Sequence, residues 1–280
     1  MKIIFMGTPD IATGCLQKLI DEKYNIIGVV TQPDKPQNRG KKLGMPPVKE
    51  LALKYDIPVY QPVKARDEEF VKVLEEINPE LIVVVAFGQL LPKEILEMTP
   101  YGCVNVHASL LPKYRGAAPI QWAILNGDKE TGVSIMYLDA GMDSGDVILQ
   151  EMVEIGDDET TGELWNRLSG IGARLLTKVV TDISNGIIER TPQPEEFVLA
   201  PMLDKEMSKI NWQEKTSSEI KNLVRGLNPI MGTYTFLNGK KIKMHPRYIP
   251  GTDEKAKKVG DKLKCILIGR WFHWWIDFLV

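Results

Sequence analysis

Short apolar runs alternate with amphipathic stretches through the first half of the chain, and this alternation predicts strands and helices in turn. The run LIVVVAF at 81–87 is apolar throughout, which is typical of a central strand in a parallel sheet. Strands are predicted at 2–7, 25–31, 57–60, 81–87, 102–107, 132–138 and 147–155, and helices at 10–22, 46–55, 67–77 and 160–184. The strand–helix order predicts an α/β fold, a Rossmann-like open parallel sheet with helices on both faces.

The pattern changes after the long helix predicted to end at 184. Residues 189–205 contain three prolines and little periodicity, so we predict a linker between a domain at 1–188 and a smaller domain at 206–280. The smaller domain begins helically and turns to strands, and Asn238-Gly239 predicts a β-hairpin within it. The last ten residues hold three of the six tryptophans. This stretch is either an unusual buried strand or an altered tail. We therefore expect this domain to be shortened or altered after about residue 245.

Composition excludes several classes of protein. The chain has 280 residues, 44% hydrophobic and 26% charged, which is ordinary for a soluble protein. No stretch approaches the roughly 20 apolar residues of a membrane span, and the start lacks a secretory signal pattern. Three widely spaced cysteines favour a reducing compartment, so we expect a cytoplasmic protein, and a monomer by default. The cysteines and three histidines show no metal-ligand spacing, so no metal site is expected.

Charge is distributed unevenly along the chain. Residues 1–204 carry 20 Lys and Arg against 30 Asp and Glu, a net charge of −10. Residues 205–264 carry 14 against 6, a net charge of +8. This asymmetry fits an acidic catalytic body with a basic appendage that binds a polyanion, and it equally fits a solvated basic face.

The densest group of chemically capable residues lies between Asn105 and Asp146. Asn105 and His107 are two residues apart near the end of a predicted strand, so both should lie on one face of the sheet, at its ligand-binding edge. Lys113 and Arg115 follow in a loop and would face an anionic partner, and Asp143 stands in a glycine-rich turn. Residue types and spacing also fit plain structural roles: a hydrogen-bonding histidine, a capping asparagine and a turn aspartate.

The same residues resemble the signature of a known enzyme family. Asn105-Val-His107, followed by Ser109-Leu-Leu-Pro112 and by Asp143, is similar to the pattern of the 10-formyltetrahydrofolate-dependent formyltransferases. Within that group, the segments that resemble the methionyl-tRNA formyltransferases are FMGTPDIA at 5–12, the basic loop at 31–49, AFGQLLP at 86–92 and the stretch at 210–243. The resemblance covers about residues 1–245 of the chain.

The resemblance implies transfer of a formyl group from 10-formyltetrahydrofolate to the α-amine of methionyl initiator tRNA, without a metal. The implied catalytic residues are Asn105, His107 and Asp143. The implied folate pocket consists of Phe87, Gly88, Gln89, Leu90, Leu91, Ser109, Leu110, Leu111, Pro112, Asp139 and Gly141. Arg39, Lys41 and Lys42 would contact the tRNA, and the basic C-terminal domain would be an OB-like β-barrel that binds the same RNA.

Three alternatives share parts of this pattern. A related formyltransferase acting on a nucleotide-sugar amine or on glycinamide ribonucleotide would carry the same Asn105, His107 and Asp143, but the basic 31–49 loop and basic C-terminal domain disfavour it. A formyltetrahydrofolate hydrolase would use the same folate without an amine acceptor. The complete trio argues against a non-catalytic tRNA- or folate-binding protein.

Overall fold

The computed structural model describes residues 1–37, 42–246 and 275–277. The chain forms two compact units, each built from separate stretches. The first contains the described residues up to 116, with 132–153 and 165–199, and the second contains 117–131, 154–164 and the described residues from 200 onward. Among the described residues, no helix combines the length and apolar character needed to cross a bilayer.

Seven strands form the central sheet. The described strands up to residue 154 are β1 (Lys2–Gly7), β2 (Asn25–Val30), β3 (Lys35–Gln37), β4 (Lys42–Gly44), β5 (Val59–Tyr60), β6 (Leu81–Val85), β7 (Cys103–His107), β8 (Glu130–Tyr137) and β9 (Val147–Glu154). All except β3 and β4 belong to one sheet, in the order β5-β2-β1-β6-β7-β8-β9. The first five strands of this order are parallel, with Phe5 opposite Val29 on one side and Val83 on the other. All five residues of β6 are buried, as its uninterrupted apolar run predicted.

Helices cover both faces of the sheet. The described α-helices are α1 (Asp10–Asp21), α2 (Pro47–Lys54), α3 (Glu68–Ile77), α4 (Lys93–Glu97), α5 (Pro119–Leu125), α6 (Thr161–Ser184) and α7 (Ser217–Gly226). On one face, α3 and α4 bury Phe70, Leu74 and Ile95 against alternate residues of β1 and β6. On the opposite face, α6 brings Gly172 close to the Val106 side chain of β7. A side chain at Gly172 would collide with Val106, so the glycine permits this close approach.

The second unit contains the small sheet of β10 (Thr233–Leu237), β11 (Lys240–His245) and β12 (Trp275–Asp277). The predicted hairpin is confirmed, because β10 and β11 pair antiparallel around Asn238 and Gly239, whose φ angles are 48° and 77°. Helix α7 begins at a reciprocal cap, in which the Thr216 hydroxyl accepts from Glu219 N and the Glu219 carboxylate accepts from Thr216 N. Residues 247–274 and 278–280 of the expected barrel lie outside the described residues.

The structure corrects the predicted elements in three respects. Strand β8 runs antiparallel to β7, with Val104 opposite Tyr137, so the sheet is mostly rather than wholly parallel. An apolar run shows that a strand is buried but not which way it points, so the sequence pattern could not predict this reversal. The short helices α4 and α5 and the β3–β4 pair were not predicted, because five to seven residues in a helix, or three in a strand, give too little periodicity.

Candidate active site

Four parallel strands, β1, β2, β6 and β7, end at one edge of the sheet, and polar groups follow each of them. Strands β1 and β6 are neighbours, yet the strand that follows β1 lies toward one edge of the sheet and the strand that follows β6 lies toward the other edge. Open α/β sheets bind ligands in the crevice at such a switch point. Thr8 Oγ1, after β1, and Gln32 Nε2, after β2, both donate to the Phe87 carbonyl oxygen beyond β6, each at 3.2 Å. The turn after β6 is therefore fixed by the residues that follow β1 and β2.

His107 is the last residue of β7 and is buried. Its Nε2 atom lies 2.8 Å from the Tyr114 carbonyl oxygen. A carbonyl oxygen only accepts hydrogen bonds, so Nε2 carries the proton and donates it to this contact. In the neutral ring the lone pair is then on Nδ1, which lies 3.6 Å from Asp143 Oδ2. The neutral ring presents a base toward Asp143, and the protonated ring presents a second N–H there.

Asp143 reaches His107 from the loop between β8 and β9. Its Oδ2 atom accepts from the Gly116 backbone N–H at 2.8 Å, in addition to facing the imidazole. The residue has a φ of 48°, in the left-handed region that non-glycine residues seldom occupy. Backbone conformations of this kind persist only where surrounding contacts fix them, and they concentrate at functional sites.

Asn105 lies two residues before His107 on β7, and both side chains are on the same face of the sheet. Cys103 packs in the α3–α4 cluster whereas Val106 faces α6, so the alternation of side chains places Asn105 and His107 on the α3–α4 face. Asn105 is only 9% exposed, yet within the described part of the chain no protein group hydrogen-bonds its side-chain amide. Nearly all buried amides have a partner, so this free donor is suited to a bound ligand.

The loop after His107 is held by a buried polar network. Ser134 Oγ donates to the Ser109 carbonyl oxygen at 2.6 Å and accepts from Leu111 N at 3.1 Å. Gln150 Nε2 donates to the Leu111 carbonyl oxygen at 2.9 Å, and Ser109 Oγ donates to the Lys113 carbonyl oxygen at 2.6 Å. The loop that carries the Tyr114 carbonyl is therefore rigid, which fixes the His107 ring from one side.

Comparison with known proteins identifies the family. The family model described as formyl transferase matches residues 1–180, and the model of the formyl transferase C-terminal domain matches residues 202–269. The chain belongs to the formyltransferase family.

The formyltransferase relatives are similar over most of their length. A methionyl-tRNA formyltransferase of Clostridioides difficile (strain 630) is 55% identical over 259 residues, which is 92% of this chain and 83% of that protein. A methionyl-tRNA formyltransferase of Acetivibrio thermocellus is 49% identical over 275 residues, 95% of this chain and 88% of that protein. These matches confirm the predicted resemblance.

Solved formyltransferase structures share the fold. A sugar N-formyltransferase from Shewanella sp FDAARGOS_354 superimposes with a TM-score of 0.68 at 19% identity, covering 88% of this chain and 96% of that one. The sugar 3N-formyltransferase WlaRD, solved in the presence of dTDP and 5-N-formyl-THF, gives a TM-score of 0.65 at 25% identity, covering 87% and 85%. At such identities the likeness concerns the fold.

The residues predicted for the folate pocket fall into two groups by exposure. Phe87, Ser109 and Leu111 are buried, whereas Leu90 is 84% exposed. The others are at least partly accessible: Gly88, Gln89, Leu91, Leu110, Pro112, Asp139 and Gly141. The side chain of Gln89 holds the neighbouring backbone, since its Oε1 accepts from Ala65 N at 2.7 Å. Asp139 Oδ1 similarly accepts from Gly141 N at 3.0 Å and from the Ser144 hydroxyl at 2.7 Å. Much of this set supports backbone geometry, and its contact with folate stays a prediction.

The basic 31–49 loop is fixed at its base by hydrogen bonds from Lys49. Lys49 Nζ donates to both carboxylate oxygens of Asp34, at 2.9 and 2.7 Å, and to Gln61 Oε1 at 2.7 Å. These hydrogen bonds from Lys49, and then from Gln61, hold the pKa of Asp34 below its usual range. Lys49 therefore serves as an anchor of the loop, a role that the sequence alone did not indicate. Arg39 and Lys41 lie outside the described residues, and Lys42 belongs to β4.

Arg115 also differs from expectation. We expected it to face an anionic partner, but it is 7% exposed and is held by neighbouring groups. Its Nε donates to Gln193 Oε1 at 3.0 Å, and its guanidinium lies 4.6 Å from the centre of the Phe197 ring. These partners are about 80 residues away along the chain, and no pattern in the sequence indicated them.

Proposed function

We propose that this formyltransferase transfers the formyl group of 10-formyltetrahydrofolate to the α-amine of methionyl initiator tRNA, in the cytoplasm. The observation that supports methionyl-tRNA as the formyl acceptor is the identity of 49–55% to proteins named methionyl-tRNA formyltransferase, over 92–95% of this chain. The same stretch includes the basic 31–49 loop, in which Lys49 pairs with Asp34. The rival acceptors, nucleotide-sugar amines and glycinamide ribonucleotide, offer no long polyanion for such a loop.

The reaction is attack of the methionyl amine nitrogen on the formyl carbon. A carbon–nitrogen bond forms, the formyl oxygen becomes an oxyanion, and the bond from carbon to the folate N10 then breaks. One proton leaves the attacking amine and one reaches N10, so no net proton is consumed. The protein must therefore stabilise an oxyanion and carry a proton between two nitrogens, and it needs no covalent intermediate.

Asn105 is suited to donating a hydrogen bond to the oxyanion. Its amide is nearly buried, without a partner among the described residues, and lies on a rigid strand beside His107. A preorganised donor costs no reorganisation when the charge develops, and one such donor is typically worth about 3–4 kcal/mol of the barrier. In this role Asn105 would bind the transition state more tightly than the ground state.

His107 and Asp143 are suited to transferring the proton from the attacking amine to N10. The Tyr114 carbonyl keeps the proton of the neutral ring on Nε2, so Nδ1 is the atom free to take a proton on the side facing Asp143. The 3.6 Å separation from Asp143 Oδ2 is longer than a hydrogen bond, so Nδ1 is not committed to the carboxylate and can exchange a proton with the substrate. Once protonated, the imidazolium is stabilised by the charge of the carboxylate, and its Nδ1–H can hydrogen-bond the oxyanion or return the proton toward N10.

The folate is a co-substrate, and two segments could receive it. Phe87 and Leu138 pack in the same buried cluster, so the 87–91 segment and the 139–143 loop start from adjacent points. Gly88 in the first segment, Ala86 just before it and Asp143 in the second segment have left-handed backbone conformations, so main-chain groups there are not paired as in a strand or helix. Backbone groups of this kind can hydrogen-bond to a pterin ring. The 205–264 region, with its net charge of +8, would bind the body of the tRNA, as an OB-like barrel.

The experiment is a formyl-transfer assay with radiolabelled 10-formyltetrahydrofolate and charged initiator tRNA. We expect label to appear on the aminoacyl group only when the tRNA is charged with methionine. Label on an amino-sugar nucleotide, or release of free formate without any acceptor, would assign the protein to one of the alternatives.

A further inference from the structure

Gln193 stands out in an otherwise exposed stretch of the chain. The structure describes every residue from 184 to 199, and all of them are exposed except Gln193. On one side of Gln193, the backbone of Thr191 exchanges hydrogen bonds with Val147, at 2.9 and 2.8 Å. On the other side, the Val198 carbonyl oxygen accepts from Arg115 N at 2.9 Å. Segment 191–198, which falls within the predicted linker, is thus attached to the first unit at both ends.

The Gln193 side chain contacts the turn that carries Asp143. Its Nε2 atom donates to the carbonyl oxygens of Asp143, at 2.9 Å, and of Gly145, at 2.7 Å. Its Oε1 atom accepts from Arg115 Nε at 3.0 Å. The orientation of the amide is unambiguous, because the two carbonyls need a donor and the guanidinium needs an acceptor. Both ends of the side-chain amide are therefore engaged in the geometry observed.

Arg115 holds the Gln193 side chain at its oxygen atom, on the side away from the Asp143 turn. Its Nη2 donates to the Pro194 carbonyl oxygen at 3.4 Å, and its guanidinium lies against the ring of Phe197. A planar guanidinium with several partners has little freedom to rotate. The backbone N–H of Gly116, the next residue, donates to the Asp143 carboxylate at 2.8 Å. The 115–116 segment thus supports Asp143 twice, directly at its carboxylate and through Gln193 at its backbone.

Asp143 needs this support because of its conformation. Its φ of 48° is unfavourable for a residue with a side chain, and Ser144 and Gly145 follow without regular secondary structure. The two hydrogen bonds from Gln193 hold the carbonyls on either side of Ser144. A change of backbone angle at Asp143 would swing its carboxylate away from His107, which is already 3.6 Å distant.

We propose that Gln193 is a positioning residue for formyl transfer: it holds the 143–145 turn so that the Asp143 carboxylate faces His107. This inference rests on the proposed roles of Asp143 and His107. It assigns a part in the chemistry to a side chain from the 189–205 segment, which the sequence predicts to be a linker. Gln193 does not touch the reacting atoms, so its effect must pass through Asp143.

The test compares Gln193→Leu, which keeps the size but loses the two hydrogen bonds from Nε2 and the acceptor for Arg115, with Glu195→Ala, a change at an exposed position in the same segment. We expect Gln193→Leu to lower kcat by about 10–100-fold, the range of a partly misplaced acid–base group. The dissociation constant for tRNA should stay within about twofold of wild type, because the tRNA would not contact Gln193, and any weakening of folate binding should be smaller than the fall in kcat. Glu195→Ala should match wild type.

A double-mutant cycle separates positioning from general damage. In an Asp143→Ala background, Gln193→Leu should lower kcat by less than about twofold, because the group that it positions is gone. A full multiplicative loss in that background, or a kcat for Gln193→Leu within threefold of wild type, would overturn the proposal. If Gln193→Leu fails to fold, Gln193→Glu takes its place, since it keeps the acceptor for Arg115 and sets oxygen against two carbonyl oxygens.

A measurement without substrate keeps this inference separate from the proposed function. NMR of the labelled His107 ring at fixed pH should show shifted resonances in Gln193→Leu. In Glu195→Ala the same resonances should keep their wild-type positions. Unmoved His107 resonances in Gln193→Leu would refute positioning, whatever the acceptor. A wild-type protein that fails to formylate charged tRNA while Gln193→Leu moves these resonances would overturn the proposed acceptor alone.

Discussion

Asp143→Asn isolates the charge of the carboxylate from its shape. Asparagine tolerates the left-handed φ of 48° well, and its side-chain oxygen can still accept from Gly116 N, so the turn should keep its geometry. Only the negative charge facing His107 Nδ1 at 3.6 Å is lost. At an effective dielectric constant of about 20, two unit charges at that distance interact by about 4–5 kcal/mol.

Only part of this energy should appear in the rate. The imidazole gains its positive charge during the reaction, and the Asp143 side chain is 18% exposed, so water compensates for some of the loss. We therefore expect about 3–4 kcal/mol, a fall in kcat of roughly 100–1000-fold. The assay is single-turnover formyl transfer with saturating folate and charged tRNA, together with separate dissociation constants for each, which should change little.

Glu196→Gln is the matched control, since it removes one carboxylate from an exposed position in the same unit. It should retain wild-type turnover. If Asp143→Asn stays within threefold of this control, the carboxylate has no electrostatic part in the transition state. The mechanism assigned to His107 and Asp143 would then be wrong.

Three further predictions follow from the site. Asn105→Ala should lower kcat by about 100–1000-fold with folate affinity retained, and a smaller loss than tenfold in single turnover would remove its oxyanion role. Changing Lys41 and Lys42 together to alanine should weaken tRNA binding and flatten its dependence on salt, as measured by binding titrations at several salt concentrations; an unchanged slope would place the RNA elsewhere. The folded-state pKa of Asp34 lies below its ordinary 3.8, so its pair with Lys49 stabilises the protein above that pH and is lost as the pH falls through the folded value. Asp34→Asn should therefore lower the melting temperature at pH 7 and converge with wild type in strong acid, and equal differences at both pH values would contradict this.

The local elements were predictable because each depends on its own residues. The β6 run is apolar at every position, and the Asn238-Gly239 turn requires two left-handed residues, so neither needs information from elsewhere. The period of two in β7 also placed Asn105 and His107 together on one face. The direction of β8 was not predictable, because it depends on pairing with β7.

The candidate site was predictable only in part. Resemblance and strand geometry indicated Asn105, His107 and Asp143, and the structure brings His107 and Asp143 to 3.6 Å. The support from Arg115 and Gln193 was not predictable, since these residues are 78 positions apart and the sequence around Gln193 has the polar, proline-rich character of a linker. The anchoring role of Lys49 was not predictable either, since sequence alone does not show that its partner is Asp34.

The most direct test of the central claim is formyl transfer by the wild-type chain to purified methionyl initiator tRNA, with uncharged tRNA, an amino-sugar nucleotide and no acceptor in parallel. We predict formylation of the charged tRNA alone, with label recovered as N-formylmethionine after the ester is hydrolysed. Formylation of the amino-sugar nucleotide, or formate released at the same rate without an acceptor, would contradict the claim.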